Sequence, residues 1–164
     1  MSLAAQGLRL TVIGAALALC ACGFQLQGRT KLPAPLSTTY VQAEDEQSDF
    51  VVNLRKALIA SGARLTARSS EAKSTVDILE DRVTERVLSV SASNIPREYE
   101  LTYTVRFAVR ADGNDLLPPQ EVAVTRDYSF DERALLAKEH EEAILREALA
   151  RDLVGIVMRR LGSL

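Results

Sequence analysis

The stretch from Leu101 to Arg110 constrains the fold of this chain more than any other. Its apolar residues occur at every second position, which is the period of a β-strand with one buried and one exposed face. The buried face is predicted to contain Leu101, Tyr103, Val105, Phe107 and Val109, and the opposite face Thr102, Thr104, Arg106 and Arg110. The chain therefore contains a sheet that is covered on one side and polar on the other.

Further strands are predicted on both sides of this one. Residues 76–91 are strand-like, but their apolar positions drift between the two parities, which indicates β-bulges because each extra residue reverses the face. Residues 93–96 and 112–114 have turn compositions. The inward face of the next strand is predicted to contain Val122, Val124, Tyr128 and Phe130. Arg126 interrupts that face, so we expect it near a sheet edge or paired with an acid.

Two helices flank the strands in the sequence. Residues 39–43 predict a strand, Ser48 is a suitable N-cap for a helix that Gly62 ends, and residues 64–66 form a short strand. A second helix from Glu139 to about Leu161 has its acids early and its bases late. Strands grouped together with helices beside them indicate an α+β fold. We expect a two-layer sandwich, a roughly four-stranded mixed sheet with both helices on one face.

The N-terminal residues resemble an export signal. Leu10 to Gly23 is an apolar run behind one positive charge, Arg9, and it is too short to cross a bilayer as a helix, which needs roughly 20 residues. Leu19-Cys20-Ala21-Cys22 resembles the bacterial lipobox, which implies cleavage before Cys22 and acylation of that cysteine. A buried first helix and an ordinary signal peptide are the alternatives.

These features divide the chain into three parts: a lipoprotein signal peptide (1–21), a lipidated linker (22–38) and one α+β domain (39–164). Without Arg9 the mature chain has 19 basic and 22 acidic residues, a net charge of −3. It lacks the basic excess that phosphate neutralisation along a nucleic acid requires, so we expect no nucleic-acid partner. Lipidation of Cys22 would attach the domain to a membrane.

No residue pattern in the chain indicates catalysis. Cys20 would leave with the signal and Cys22 would carry lipid, so the mature domain has no thiol for a disulfide or a metal. His140 is the single histidine, it lies among acids at a helix start, and no nucleophile motif accompanies it. We expect no enzyme activity, no cofactor and no metal. A lipid-anchored hydrolase is a remote alternative that would depend on His140.

Several short motifs, in order, resemble one protein family. Cys22-Gly23-Phe24 with Leu26 and Gly28 is similar to the mature start of the LptE family of lipopolysaccharide-assembly lipoproteins. The other matching motifs are Glu98-Tyr99, Arg126-Asp127-Tyr128-Ser129-Phe130-Asp131, Leu136-Ala137-Lys138 and Arg160-Leu161. Each motif is weak alone, but together they span nearly all of the mature chain.

The resemblance implies a specific role. Members of this family are anchored on the periplasmic side of the outer membrane of Gram-negative bacteria. They plug a large β-barrel translocon, LptD, in a one-to-one complex and bind lipopolysaccharide for delivery to the outer leaflet. An auxiliary lipoprotein of an ABC-type lipid transport system, also a small tethered domain, is the alternative.

Lipopolysaccharide carries phosphates, so the resemblance also directs attention to basic side chains. Lys138 occupies the lysine position of the family's L-A-K motif. The other contact candidates are Arg97 beside the hairpin turn, Arg133 near the last helix, and Arg106 and Arg110 on one strand face. A solvated surface position is the alternative interpretation for each.

Overall fold

The computed structural model of the protein describes residues 32–129 and 135–164, with side chains from His140 onward in the second range. In these ranges a five-stranded mixed sheet packs against two helices. The strands are β1 (Thr38–Gln42), β2 (Arg64–Leu65), β3 (Ser74–Val90), β4 (Pro96–Ala111) and β5 (Asn114–Ser129); the helices are α1 (Asp49–Ala60) and α2 (Leu135–Gly162). The predicted α+β class is confirmed. The sheet has five strands rather than about four, because the two residues of β2 pair with β1.

The strands lie in the order β2-β1-β3-β4-β5. β1 is parallel to both of its neighbours, whereas β3, β4 and β5 form an antiparallel meander. Register shifts between Ile78 and Glu80, and again around Ser89, are the bulges that the drifting parity of β3 indicated. The β4–β5 turn has positive φ at both Asp112 (50°) and Gly113 (79°), as a tight type I′ turn requires.

Both helix ends predicted for α1 are confirmed. The Ser48 hydroxyl accepts a hydrogen bond from the Val51 amide at 3.1 Å, which satisfies one of the free amides at the helix start. Gly62 follows the helix with φ of 93°, a conformation that glycine adopts without strain. α2 begins at Leu135, four residues before the predicted start, and it ends at Gly162.

One apolar core joins the helices to a single face of the sheet. Odd-numbered residues of β4 from Tyr99 to Val109 are buried in it, as the alternation predicted. α1 contributes Phe50, Val51, Leu54 and Leu58, and α2 contributes Leu149, Leu153, Val157 and Leu161, all fully buried. Leu36, in a single 3-10 turn before β1, is also fully buried. The opposite side of the sheet, which we call the open face, lies away from this core.

β3 and β4 form a long hairpin that is buried at one end only. At the base, near Ser74 and Ala111, β3 is buried through Ile78. From Arg82 to Val90 every residue of β3 is exposed except the half-buried Val83 and Ser89. The 17 residues of β3 span about 50 Å at roughly 3.3 Å per residue. We call residues 86–97, at the far end, the hairpin tip.

Candidate functional site

The open face is a polar surface formed by alternate residues of three strands. Thr84, Thr102 and Thr125 lie side by side on β3, β4 and β5, and the hydroxyls of Thr102 and Thr125 are 3.0 Å apart. The β-branched threonines suit a strand, and their hydroxyls keep the surface hydrophilic. This face offers hydrogen-bonding groups to a partner and has no apolar row.

Two of the predicted contact residues, Arg106 and Arg110, lie on the open face, and both have acidic partners. The Arg110 guanidinium donates to the two oxygens of Asp77 at 2.8 and 3.0 Å, and this hydrogen bonding raises the pKa of Arg110 further. Arg106 lies 3.7 Å from Glu80. Their charges are therefore partly neutralised inside the protein. A role for either arginine in binding lipopolysaccharide stays a prediction.

The remaining candidates lie elsewhere. Arg97 is an exposed residue of the hairpin tip, about 43 Å along β4 from Arg110 at 3.3 Å per residue, so these two arginines do not share a site. Lys138 lies in the first turn of α2. Two contacts join this helix to β5: Asp152 of α2 pairs with Arg126 of β5, and Arg160 of α2 donates to Gln120 of β5. α2 therefore runs antiparallel to β5, and its first turn lies toward the hairpin-tip end. Cys22 and Arg133 lie outside the described residues.

A polar network between the sheet and the helices was missed in the sequence. Asp81 lies on the core side of β3, where it accepts a hydrogen bond from the Ser48 hydroxyl at 2.5 Å and interacts with the Tyr103 hydroxyl. Tyr103 also accepts a hydrogen bond from the Phe50 amide at 3.3 Å. Burial, followed by the hydrogen bond with Asp81, raises the pKa of Tyr103. The network ties the start of α1 to the middle of the hairpin.

A second tyrosine–carboxylate contact lies closer to the hairpin tip. The Tyr128 hydroxyl donates to Glu85 at 2.5 Å, and burial together with this bond raises the pKa of Tyr128. The Tyr128 ring stacks on Tyr99 with the ring centres 5.3 Å apart. The spacing in the sequence could have revealed both carboxylates. Asp81 and Glu85 each lie two residues from Val83, so in a strand they share its core-side face.

Arg126 interrupts the core-side row of β5, as predicted, and both expected explanations hold. It lies on an edge strand of the sheet and donates to Asp152 of α2 at 2.6 Å. The guanidinium stays 47% exposed, so solvent and the Asp152 carboxylate together accommodate its charge at the rim of the core.

His140 and the acidic residues are the groups that catalysis or metal binding would use. His140 is exposed on α2. Across residues 32–129 and 135–164, no three or more His, Cys, Asp and Glu side chains converge as metal ligands would. The described helices include none with the length and apolar character needed to span a bilayer. The described residues form a small α+β domain with an exposed polar sheet face.

The family of this domain follows from comparison with known proteins. Residues 36–161 match the model of the family described as LptE, lipopolysaccharide-assembly. This match covers most of the chain, so the protein belongs to the LptE family, as its motifs suggested.

Similar proteins of known name or structure agree with this assignment. The chain is 26% identical over 152 residues to the LPS-assembly lipoprotein LptE of Pectobacterium atrosepticum, covering 92% of this chain and 82% of that protein. The solution structure of lipoprotein B from Nitrosomonas europaea has a TM-score of 0.70 and 26% identity, covering 86% of this chain and 91% of the other. Rare lipoprotein B of Shewanella oneidensis has the same fold, with a TM-score of 0.67 at 23% identity and coverage of 77% and 94%.

Proposed function

We propose that this protein is an outer-membrane lipoprotein, acylated at Cys22, that occupies the lumen of the LptD β-barrel in a one-to-one complex. In this role it binds lipopolysaccharide for delivery to the outer leaflet, without enzymatic chemistry. Membership of the LptE family is the observation that carries the proposal. The names of its relatives, which include LPS-assembly lipoproteins, support the lipid anchor and the cargo.

The open face supports the proposed partner on physical grounds. The lumen of a large outer-membrane barrel is polar, so a plug needs a hydrophilic surface with charges of both signs. The open face has threonines at its centre and paired charges beside them, such as Arg106 with Glu80 and Arg86 with Glu100 at 2.9 Å. Such a surface can exchange hydrogen bonds with a polar wall without burying an unpaired charge.

The test of the partner is co-purification from detergent-solubilised envelope. We expect a large β-barrel protein to purify with the full-length chain in equal amounts. Recovery of an inner-membrane transporter without a barrel would favour the auxiliary lipoprotein of an ABC-type system. A Cys22→Ala variant tests the anchor, because it should lose its acyl mass and leave the membrane fraction.

The test of cargo binding uses the basic residues at the tip end of the domain. Lys138→Glu and Arg97→Glu should each weaken lipopolysaccharide binding, because a repelling charge replaces an attractive one. Lys56→Glu, an exposed change on α1, is the matched control. Unchanged affinity in a folded Lys138→Glu variant would exclude Lys138 as a contact.

A further inference from the structure

β5 is an edge strand, and in the described part of the chain only one of its two sides has a neighbour. The sheet order ends at β5, so the backbone groups that point away from β4 have no strand to pair with. The contacts of Arg126 and Gln120 with α2 join side chains only, and no described segment other than β4 hydrogen-bonds to the backbone of residues 120–129. Such a row of backbone amides and carbonyls is a template for another strand.

The two halves of β5 differ in how well their outer side is protected against pairing. In the half near the base, Pro118 and Pro119 have no amide to donate, and the register with β4 shifts twice. Residues 120–129 include no proline and pair with β4 without a shift. Natural sheet edges are usually blocked by proline, by bulges or by short length, as in the two-residue β2. The outer side of residues 120–129, which we call the free edge, has none of these.

The side chains along the free edge carry a negative charge that the described residues do not pair. Glu121 and Asp127 are exposed on the open face, and neither forms an ion pair with another described residue. The single basic residue of the free edge, Arg126, lies on the core side and is already paired with Asp152. A strand that pairs here is therefore stabilised when it carries basic side chains opposite the two acids.

Backbone complementarity restricts what can occupy the free edge. Its amides and carbonyls alternate along about 33 Å at 3.3 Å per residue, and an extended chain matches such a row whereas a helix or a small molecule does not. The wall of a closed barrel offers no free backbone groups, because each of its strands is paired on both sides. A segment of the barrel chain that turns from the wall into the lumen does offer them. The proposed one-to-one complex contains no second copy of this chain.

We propose that the free edge of β5 binds an extended segment of the β-barrel partner as an added strand of the sheet. This inference rests on the proposed function, which places the domain inside a barrel. The added segment exchanges backbone hydrogen bonds with residues 120–129, and its basic side chains lie opposite Glu121 and Asp127. The open face then contacts the polar wall of the barrel, while the free edge holds one defined segment of it.

The test is hydrogen exchange of backbone amides, measured by mass spectrometry on the complex purified with the full-length chain and on the same chain purified alone. About half of the amides of residues 120–129 point away from β4, because the hydrogen-bonding direction alternates along a strand. In the complex these amides should exchange at least about tenfold more slowly than in the chain alone. The amides of residues 114–117 are the matched control, because they lie on the same strand beside the prolines and should keep their exchange rates.

A pair of charge variants provides a second measurement. Glu121→Lys/Asp127→Lys places like charges opposite the basic side chains of the added strand, so it should lower the recovery of the barrel about fivefold. Glu44→Lys/Glu141→Lys makes the same change at two exposed acids outside β5 and should recover as much barrel as the parent. A cooperative thermal transition in each variant shows that it is folded.

Several outcomes would overturn the proposal, and they separate it from the proposed function. If a barrel purifies with the chain but residues 120–129 exchange as fast as in the chain alone, the added strand is wrong and the proposed function stands. If no barrel purifies, both are wrong. Protection of the same amides in the chain alone, together with the mass of a dimer, would identify a second copy as the occupant. Undiminished recovery of the barrel by the folded Glu121→Lys/Asp127→Lys variant would exclude a basic segment.

Discussion

The base and the tip of the β3–β4 hairpin share one antiparallel ladder and have opposite surroundings. At the base, Val76, Phe107 and Val109 are fully buried under the helices. At the tip, Val87, Leu88 and Val90 belong to β3, the same strand as Val76, and are about half exposed. Apolar residues at the base are explained by folding, since they form the core. Those at the tip lie outside that core and leave about half of their surface in solvent.

The largest effect that tests this contrast is expected at the base. Phe107→Ala removes a fully buried aromatic ring and should lower the free energy of unfolding by about 3–5 kcal/mol, because a cavity remains. Urea denaturation of the chain from Leu32 onward, followed by circular dichroism, measures the loss. Val87→Ala is the control at the tip and should cost less than about 1 kcal/mol. Equal losses would show that the tip is also part of the core.

A smaller effect is expected where the buried and exposed halves of the hairpin meet. Tyr103→Phe removes the hydroxyl that interacts with Asp81 and accepts from the Phe50 amide, so it should cost about 1–2 kcal/mol. Tyr40→Phe is the control, since the described residues supply no hydrogen bond to the Tyr40 hydroxyl. A neutral Tyr103→Phe result would mean that Asp81 is satisfied without Tyr103.

The same tyrosines predict a loss of stability in alkaline solution. The pKa values of Tyr103 and Tyr128 are higher in the folded chain than the usual 10, first because of burial and then because of the carboxylates of Asp81 and Glu85. Their contribution is complete below pH 10 and is lost as pH rises above it, because the unfolded chain releases these protons first. The free energy of unfolding should fall by up to about 1.4 kcal/mol per pH unit and per tyrosine. Urea denaturation at a series of pH values above 10 measures this dependence. In Tyr103→Phe the free energy of unfolding should fall less steeply with pH, and an unchanged slope would contradict the raised pKa of Tyr103.

The ion pair between the edge strand and α2 should matter less. Arg126 and Asp152 are each 47% exposed, so solvent and salt screen their attraction. Arg126→Gln should change the free energy of unfolding by no more than about 1 kcal/mol. Urea melts at low and high salt measure the difference, which should shrink at high salt. A larger, salt-independent loss would mean that the Arg126 side chain contributes by packing.

The smallest effect on stability is expected at the hairpin tip. Leu88→Ser/Val90→Ser should leave the free energy of unfolding within about 0.5 kcal/mol of the parent, since these side chains contact little of the core. A large loss of stability would remove the distinction between base and tip.

Local patterns accounted for most of the elements. The alternation from Leu101 to Val109, the Ser48 cap and the Gly62 ending each predicted what the structure contains, because each depends on neighbours in the sequence. The strand count differed, since a two-residue strand such as β2 is defined only by the partner it pairs with. The contact candidates could be chosen by residue type, but their spacing in the fold could not, so Arg97 and Arg110 were grouped although they lie far apart.

The sequence by itself determined which segments are strands and helices, which face of β4 is apolar, and that the motifs resemble the LptE family. Period, capping residues and motif order are local properties that need no folded partner. Only the tertiary structure decided that Asp81 and Glu85 meet tyrosines on the core side, that Arg110 is held by Asp77, and that burial ends partway along the hairpin. The physical reason is that burial and charge pairing depend on which elements pack against each strand. Those elements come from distant parts of the sequence, so local patterns do not reveal them.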